Sequence, residues 1–262
     1  MHLTEHDFTD VSAGDLRLRL RDPGAHEPRP LILFLHGGAE AGTDNRAQLT
    51  GTLGAIRLAE LYPDSLVLAP QAPPARRPLM PARLPFAARS LEDDSGWSRG
   101  YLERVCHRIG KMVARGSVDS SRISITGISM GGAGVLRALS VAPGFFAAAA
   151  PVCPTMTPET FDLLLGLVDE HVWISTAYID HTPDRHKYIV DGVISLLRRG
   201  GDVQLSLFSP EQLASVGIPR DPSMGFDTLL AENHASWELT YANEEGILDW
   251  LTSQTLTPTS PS

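Results

Sequence analysis

The sequence predicts an α/β fold, with a mostly parallel central sheet and helices on both faces. Three observations carry this. Short apolar runs bounded by Gly or Pro recur along the chain, stretches with helical spacing separate them, and the alternation extends from residue 31 to 252. That is the pattern of a parallel sheet covered on both sides. With 262 residues, 42% hydrophobic and 20% charged, the chain is long enough to bury a core without disulfide or metal support. The pattern favours one domain over 1–252, and a Ser/Thr/Pro-rich disordered tail over 253–262.

The elements follow in order. Leu16 to Arg21 alternates Leu and Arg, the period of a half-exposed antiparallel strand. Leu31-Ile32-Leu33-Phe34-Leu35 is apolar at both parities and closes on His36-Gly37-Gly38, which suits a central parallel strand. Ser65 to Pro70 reads as another strand, and 71–97 as a long Pro- and Arg-rich connection. Leu102, Val105, Ile109 and Met112 share one helix face. Arg122 to Thr126 is a strand, Gly131 to Ala142 a helix, Phe145 to Val152 contains a strand, and Pro158 to Val168 is a helix. Val172 to Ala177 is a strand; the helix carrying Ile189, Val193, Leu196 and Leu197 stops at Gly200-Gly201. Val203 to Phe208 is the last strand, 209–233 a long loop, and Trp237, Tyr241, Leu248 and Leu251 mark a final helix.

Charge and cysteine content exclude several classes. The net charge is −9, with no basic run beyond Arg76-Arg77 and Arg198-Arg199, so no nucleic-acid partner is expected. Cys106 and Cys153 show no C-x-x-C spacing, which argues against structural zinc; two buried free thiols are expected, with a disulfide as the other reading. The first residues lack a basic segment followed by an apolar run, and no apolar stretch approaches the about 20 residues of a membrane span. The expectation is a soluble, cytoplasmic protein without a membrane span; the oligomeric state stays open.

Two segments match G-x-S-x-G: Gly127-Ile128-Ser129-Met130-Gly131 and Gly96-Trp97-Ser98-Arg99-Gly100. A nucleophile needs a sharp turn between a buried strand and a helix, so that its hydroxyl projects above the sheet. Ser129 has that context. Ser98 follows Glu92-Asp93-Asp94-Ser95, which is no buried strand, and reads as a helix N-cap. The oxyanion of an acyl intermediate needs two N–H donors, assigned to Met130, after the nucleophile, and to Gly38, in the turn after the first central strand. His36 precedes the nucleophile and reads as a brace for that turn. In the chain order Ser, acid, His, the base is His234, between the last strand and the last helix, with His181 and His186 the other histidines considered. Asp180, just past the Val172–Ala177 strand, is the acid, with Asp184 the alternative at a helix start. Asp180, His181, Asp184 and His186 could also crowd round a metal, but they lack an i, i+4 His pair; no metal or cofactor is expected. Phe86, Trp97, Phe208, Met224, Phe226 and Trp237 could line an apolar pocket or simply pack.

Further residues carry a resemblance: Leu33 to Gly38 with Glu40, Gly42, Asp44 and Asn45; Ala69-Pro70-Gln71-Ala72-Pro73; Val118-Asp119 with Arg122-Ile123; Thr126 to Gly132; and His234 with Ser236, Trp237, Tyr241, Asn243 and Asp249-Trp250-Leu251. Over about residues 30–252 the chain resembles the esterase and predicted-peptidase branch of the α/β-hydrolases, near the phospholipase/carboxylesterase and dienelactone-hydrolase-like families. The resemblance implies the α/β-hydrolase fold and cofactor-free hydrolysis of an acyl bond in a small molecule by a Ser-Asp-His triad. Two departures stand out. Those families carry His-Gly just before the acid, where this chain has Thr176-Ala177, and they join the last strand to the His loop briefly, where this chain has 209–233. Ester or thioester cleavage is the leading expectation, since no separate gating domain is present. Acyl transfer or cyclisation, peptidase activity and a non-catalytic binding module are the alternatives.

Overall fold

In a computed structural model the described residues are 2–24, 28–74, 96–180, 185–218 and 232–256. They form a sheet of eight strands: β1 (Thr9–Asp10), β2 (Arg17–Arg21), β3 (Arg29–Leu35), β4 (Leu66–Gln71), β5 (Val118–Ile128), β6 (Ala148–Val152), β7 (Val172–Ala177) and β8 (Val203–Phe208). The spatial order is β1-β2-β4-β3-β5-β6-β7-β8. β2 pairs antiparallel with β1 and β4, and every pairing from β4 through β8 is parallel. The fold class expected from the alternating pattern is the one observed.

The apolar run in β3 explains the layering. Successive strand side chains point to opposite faces, so Leu31, Leu33 and Leu35 enter one core while Ile32 and Phe34 enter the other. The first core is closed by α3 (Arg99–Ala114) and α4 (Met130–Val141), through Leu102, Val105, Ile109, Val135, Leu136 and Leu139. α5 (Pro158–Leu165) and α6 (Arg185–Arg198) add Leu164, Ile189, Val193 and Leu196 to it. The second core is closed by α1 (Ala47–Thr50) and α2 (Gly54–Leu61) at one end, and by α8 (Trp237–Ala242) and α9 (Ile247–Ser253) at the other. Each fully buried Leu, Ile or Phe contributes roughly 1.5–3 kcal/mol, so a strand apolar at both parities is the natural centre of the sheet.

Several expectations change. The final helix is two: Asn243 (φ 60°) and Gly246 (φ 71°) take left-handed backbone between α8 and α9, which breaks the helical path. The stretch 209–233 is not all loop. Ser209 caps α7 (Pro210–Ser215), and Ile218 is buried, while 219–231 lie outside the described residues. α2 was not evident from the sequence; its Gly54 lies where a Cβ would come 2.5 Å from Phe34 Cε2. Ser253 closes α9, and the Leu256 N–H donates to Ser121 O; of the tail expected over 253–262, residues 257–262 lie outside the described residues. Both cysteines are free and buried, and burial pushes the Cys106 thiol up to about 12. Among the described residues, no helix is long and apolar enough to cross a membrane.

Candidate active site

Parallel strands direct the loops at their carboxyl ends to one edge of the sheet, where such folds place their ligands. The turns after β3, β5, β7 and β8 carry the residues singled out from the sequence. Ser129 sits between β5 and α4 with φ 57° and ψ −110°, a conformation rarely populated by a residue with a side chain. Such backbone costs about 1–3 kcal/mol and needs surrounding structure to hold it. Here the Ser129 N–H donates to Val152 O at 2.9 Å, and Ser129 O accepts from the Ala133 and Thr155 amides, each at 3.1 Å.

Both glycines of the motif are sterically required. A Cβ on Gly127 would lie 2.6 Å from Gly131 O and 2.8 Å from Leu35 O. One on Gly131 would collide with Leu35 O and lie 2.6 Å from His36 O. These are backbone atoms of β3, of the residue that follows it and of α4, and they cannot yield cheaply. Gly131→Ala is therefore expected to destabilise the fold by about 3 kcal/mol, read as a fall in the urea midpoint at unchanged slope.

His234 opens a short 3-10 turn (His234–Ser236) after β8. Its Nε2 lies 2.9 Å from Ser129 Oγ, and its Nδ1 lies 3.0 Å from Asp180 Oδ2. Asp180 follows β7 and is fully buried, while the His234 side chain is 18% exposed. The carboxylate accepts only, so Nδ1 carries the proton and Nε2 accepts from the Ser129 hydroxyl. Trp237 packs edge-on against the imidazole, with ring centroids 5.5 Å apart. Ser129, Asp180 and His234 are thus one connected unit. The Thr176-Ala177 departure leaves Asp180 in reach, although Thr176 Oγ1 is buried without a hydrogen-bond partner among the described residues.

The turn after β3 is a 3-10 helix, Gly38–Glu40, next to the nucleophile. A Cβ on Gly37 would lie 3.9 Å from Ser129 Cβ. His36 is fully buried; its Nδ1 donates to Gly37 O at 2.6 Å, and its Nε2 accepts from the Ala72 N–H at 2.9 Å. Trp97 packs at a tilt against its ring, with centroids 4.8 Å apart and its Nε1 donating to His36 O. His36 braces the turn, as its position in the sequence predicts. Burial lowers its pKa to about 4 from the ordinary 6.5. Below about pH 6.5 the unfolded chain takes up a proton that folded His36 refuses until about pH 4. Stability is therefore expected to fall through that window, by about 3 kcal/mol in all. Glu40 and Glu170, whose pKa values burial raises, oppose part of the loss. Urea midpoints at pH 7, 5.5 and 4.5 test this, and His36→Gln should flatten the profile.

A buried polar network supports the same turn, and sequence reasoning assigned no role to its members. Gln71 Nε2 donates to Glu40 O at 3.1 Å and to Asp44 Oδ1 at 2.7 Å; Gln71 Oε1 accepts from the Asn45 N–H at 2.6 Å. Gln48 Nε2 donates to Asn45 Oδ1 at 2.7 Å. These residues show no periodicity and no motif spacing, so only the resemblance marked Glu40, Asp44, Asn45 and Gln71.

The remaining candidates fall elsewhere. Ser98 caps α3, its hydroxyl accepting from the Tyr101 N–H. Trp97 and Phe208 are core residues. His186 stacks on Tyr178 at 5.3 Å. His181, Asp184, Phe86, Met224 and Phe226 lie outside the described residues. Among the described residues no group of three or more His, Cys, Asp or Glu could hold a metal.

Residues 105–190 match the prolyl oligopeptidase family, a stretch that includes Ser129 and Asp180 and stops before His234. No curated protein sequence matches the chain. A thermostable esterase of known structure is 28% identical with a TM-score of 0.72, over 97% of this chain and 65% of that one, so the chain spans less than two thirds of that esterase. An S-formylglutathione hydrolase from Staphylococcus aureus is 13% identical with a TM-score of 0.61, covering 94% of this chain and 95% of that one. An esterase from Pyrobaculum calidifontis is 14% identical with a TM-score of 0.59, covering 93% and 86%. These last two show likeness of fold alone. From the sheet order, the family match and these structures, the chain has the α/β-hydrolase fold.

Proposed function

We propose that the protein cleaves a carboxylic ester or thioester of a small molecule through an acyl-enzyme, with Ser129 as nucleophile, His234 as general base and Asp180 as its orienting acid. The observation that carries this is the unbroken hydrogen-bond chain from Ser129 Oγ through His234 to Asp180, at 2.9 and 3.0 Å. His234 Nε2 takes the hydroxyl proton as Ser129 Oγ attacks the acyl carbon, and Asp180 stabilises the imidazolium. His234 then gives that proton to the leaving alcohol or thiol. A water then attacks the acyl carbon as His234 takes its proton, and His234 returns that proton to Ser129 Oγ as the acid departs.

The oxyanion is held by the amides of Met130 and Gly38. Met130 opens α4, where first-turn N–H groups have no partner within the helix. Planarity of the Gly37–Gly38 peptide supports Gly38: its carbonyl is held toward the His36 ring, so its N–H is directed away from that ring. The reading draws its ester preference from the thermostable esterase. The prolyl oligopeptidase match favours an amide substrate as a second reading.

Chromogenic acyl esters of increasing chain length, thioesters and peptidyl anilides, assayed side by side, separate the two. The expected result is ester or thioester turnover, with a burst equal to the enzyme concentration and free acid as product. Turnover of anilides alone would replace the ester reading. A lactone or transferred acyl group would replace hydrolysis.

A further inference from the structure

We propose that Glu40 is a positioning residue for the reaction: its buried carboxyl, lodged between Gly37 on one side and Gly51-Thr52 on the other, fixes the Gly37–Gly38 peptide against Ser129. The proposal rests on the reading of Gly38 as an oxyanion donor.

Glu40 ends the 3-10 turn after β3, and only 3% of it is exposed. Its Oε1 accepts from the Thr52 N–H at 3.0 Å. Its Oε2 faces the Gly37 side of the turn, where a Cβ on Gly37 would lie 3.1 Å away. On the opposite side, a Cβ on Gly51 would lie 2.5 Å from Glu40 Cγ and 2.7 Å from Oε1. The chain thus leaves room for this side chain by having glycine on both flanks. Among the described residues, the cationic type within ion-pair reach is His36, with Nδ1 at 4.0 Å from Oε2. That ring is neutral near pH 7, because burial disfavours its charged form.

A buried carboxyl without a strong cationic partner is costly. A residue serving only to fill space at this point would be better met by an apolar side chain. What the carboxyl adds is two acceptor oxygens at fixed separation. One accepts from Thr52 in the α1–α2 connection, and the other lies beside Gly37, the residue that bears the peptide to Gly38. The backbone amides of Thr52, Glu40 itself and Gly37 all favour its ionised form against the desolvation that raises its pKa. The Glu40 main chain is held as well, its carbonyl accepting from Gln71 Nε2. The side chain therefore spans from a fixed scaffold to the turn. An oxyanion donor displaced by a few tenths of an ångström still binds the ground-state carbonyl but serves the transition state less well. Loss of Glu40 should accordingly appear in kcat more than in KM.

The test measures kcat and KM per active site, with sites counted by exhaustive fluorophosphonate titration, in wild type, Glu40→Gln, Glu40→Ala and Gly51→Ala. Glu40→Gln keeps the side-chain size and one acceptor. It should lower kcat about tenfold, with KM within about twofold. Glu40→Ala should lower kcat about 100-fold. Gly51→Ala pushes on the Glu40 side chain from behind and should lower kcat with the same KM signature, less than additively with Glu40→Gln. If Glu40→Ala does not fold, Glu40→Gln and Gly51→Ala decide the matter. Unchanged kcat per titrated site in Glu40→Gln and Gly51→Ala, with only the melting temperature lowered, would overturn the proposal and leave Glu40 a structural tie. Failure of wild type to take the fluorophosphonate would instead overturn the functional reading on which it rests.

Discussion

Ser129→Ala is expected to lower kcat by about 10⁶-fold, with KM little changed. In the proposed mechanism this hydroxyl forms the new bond, and it lies 2.9 Å from the His234 Nε2 that would take its proton. His234→Ala should cost about as much, and the double variant little more, because base and nucleophile act in one proton transfer and neither works alone. The residual rate belongs to the oxyanion amides and to substrate binding. Neither substitution removes core packing, so both proteins should remain folded, which circular dichroism and the melting curve check. Losses that multiplied in the double variant would mean that the two side chains act independently.

Asp180→Asn is expected to lower kcat by about 10⁴-fold while leaving the fold and KM close to wild type. Asp180 is fully buried, and its Oδ2 receives the His234 Nδ1–H at 3.0 Å. That bond fixes the imidazole in the tautomer that leaves Nε2 free to accept from Ser129. An amide nitrogen at the same place would favour the opposite tautomer, with the proton on Nε2 facing the Ser129 hydroxyl. Asparagine is nearly isosteric, so the loss isolates charge and tautomer from packing. Steady-state kinetics on the best ester found for wild type reads the effect. A loss below about tenfold would move the orienting role away from Asp180.

The fold was legible because β3 is apolar at both parities and strands alternate with helices, and neither signal depends on distant contacts. The turn that carries Ser129 was legible for a steric reason: Gly127 and Gly131 abut the backbone of β3 and tolerate no Cβ, so the motif reports a real constraint. Gly96 and Gly100 satisfy the same pattern, but only Ser129 follows a buried strand, and Ser98 proved to be a cap. Asp180 and His234 were singled out by their order after particular strands, and they lie in hydrogen-bond reach of each other. The break between α8 and α9 was missed because Asn243 and Gly246 interrupt a run whose apolar spacing continues across them. α2 was missed although its buried Ala55, Ile56, Leu58 and Ala59 share a face, because the helix is only eight residues long and opens on a glycine. The network of Glu40, Asn45, Gln48 and Gln71 joins residues up to 31 positions apart through single hydrogen bonds, and no spacing rule encodes such a set.

The most direct test of the central claim is to treat the purified protein with a fluorophosphonate and read its intact mass, with Ser129→Ala and His234→Ala as controls. An activated Ser129 predicts one adduct per chain, on the peptide that contains Ser129, absent in Ser129→Ala and lost or greatly slowed in His234→Ala. Well-folded wild type that takes no label, or equal labelling of wild type and Ser129→Ala, would contradict the account.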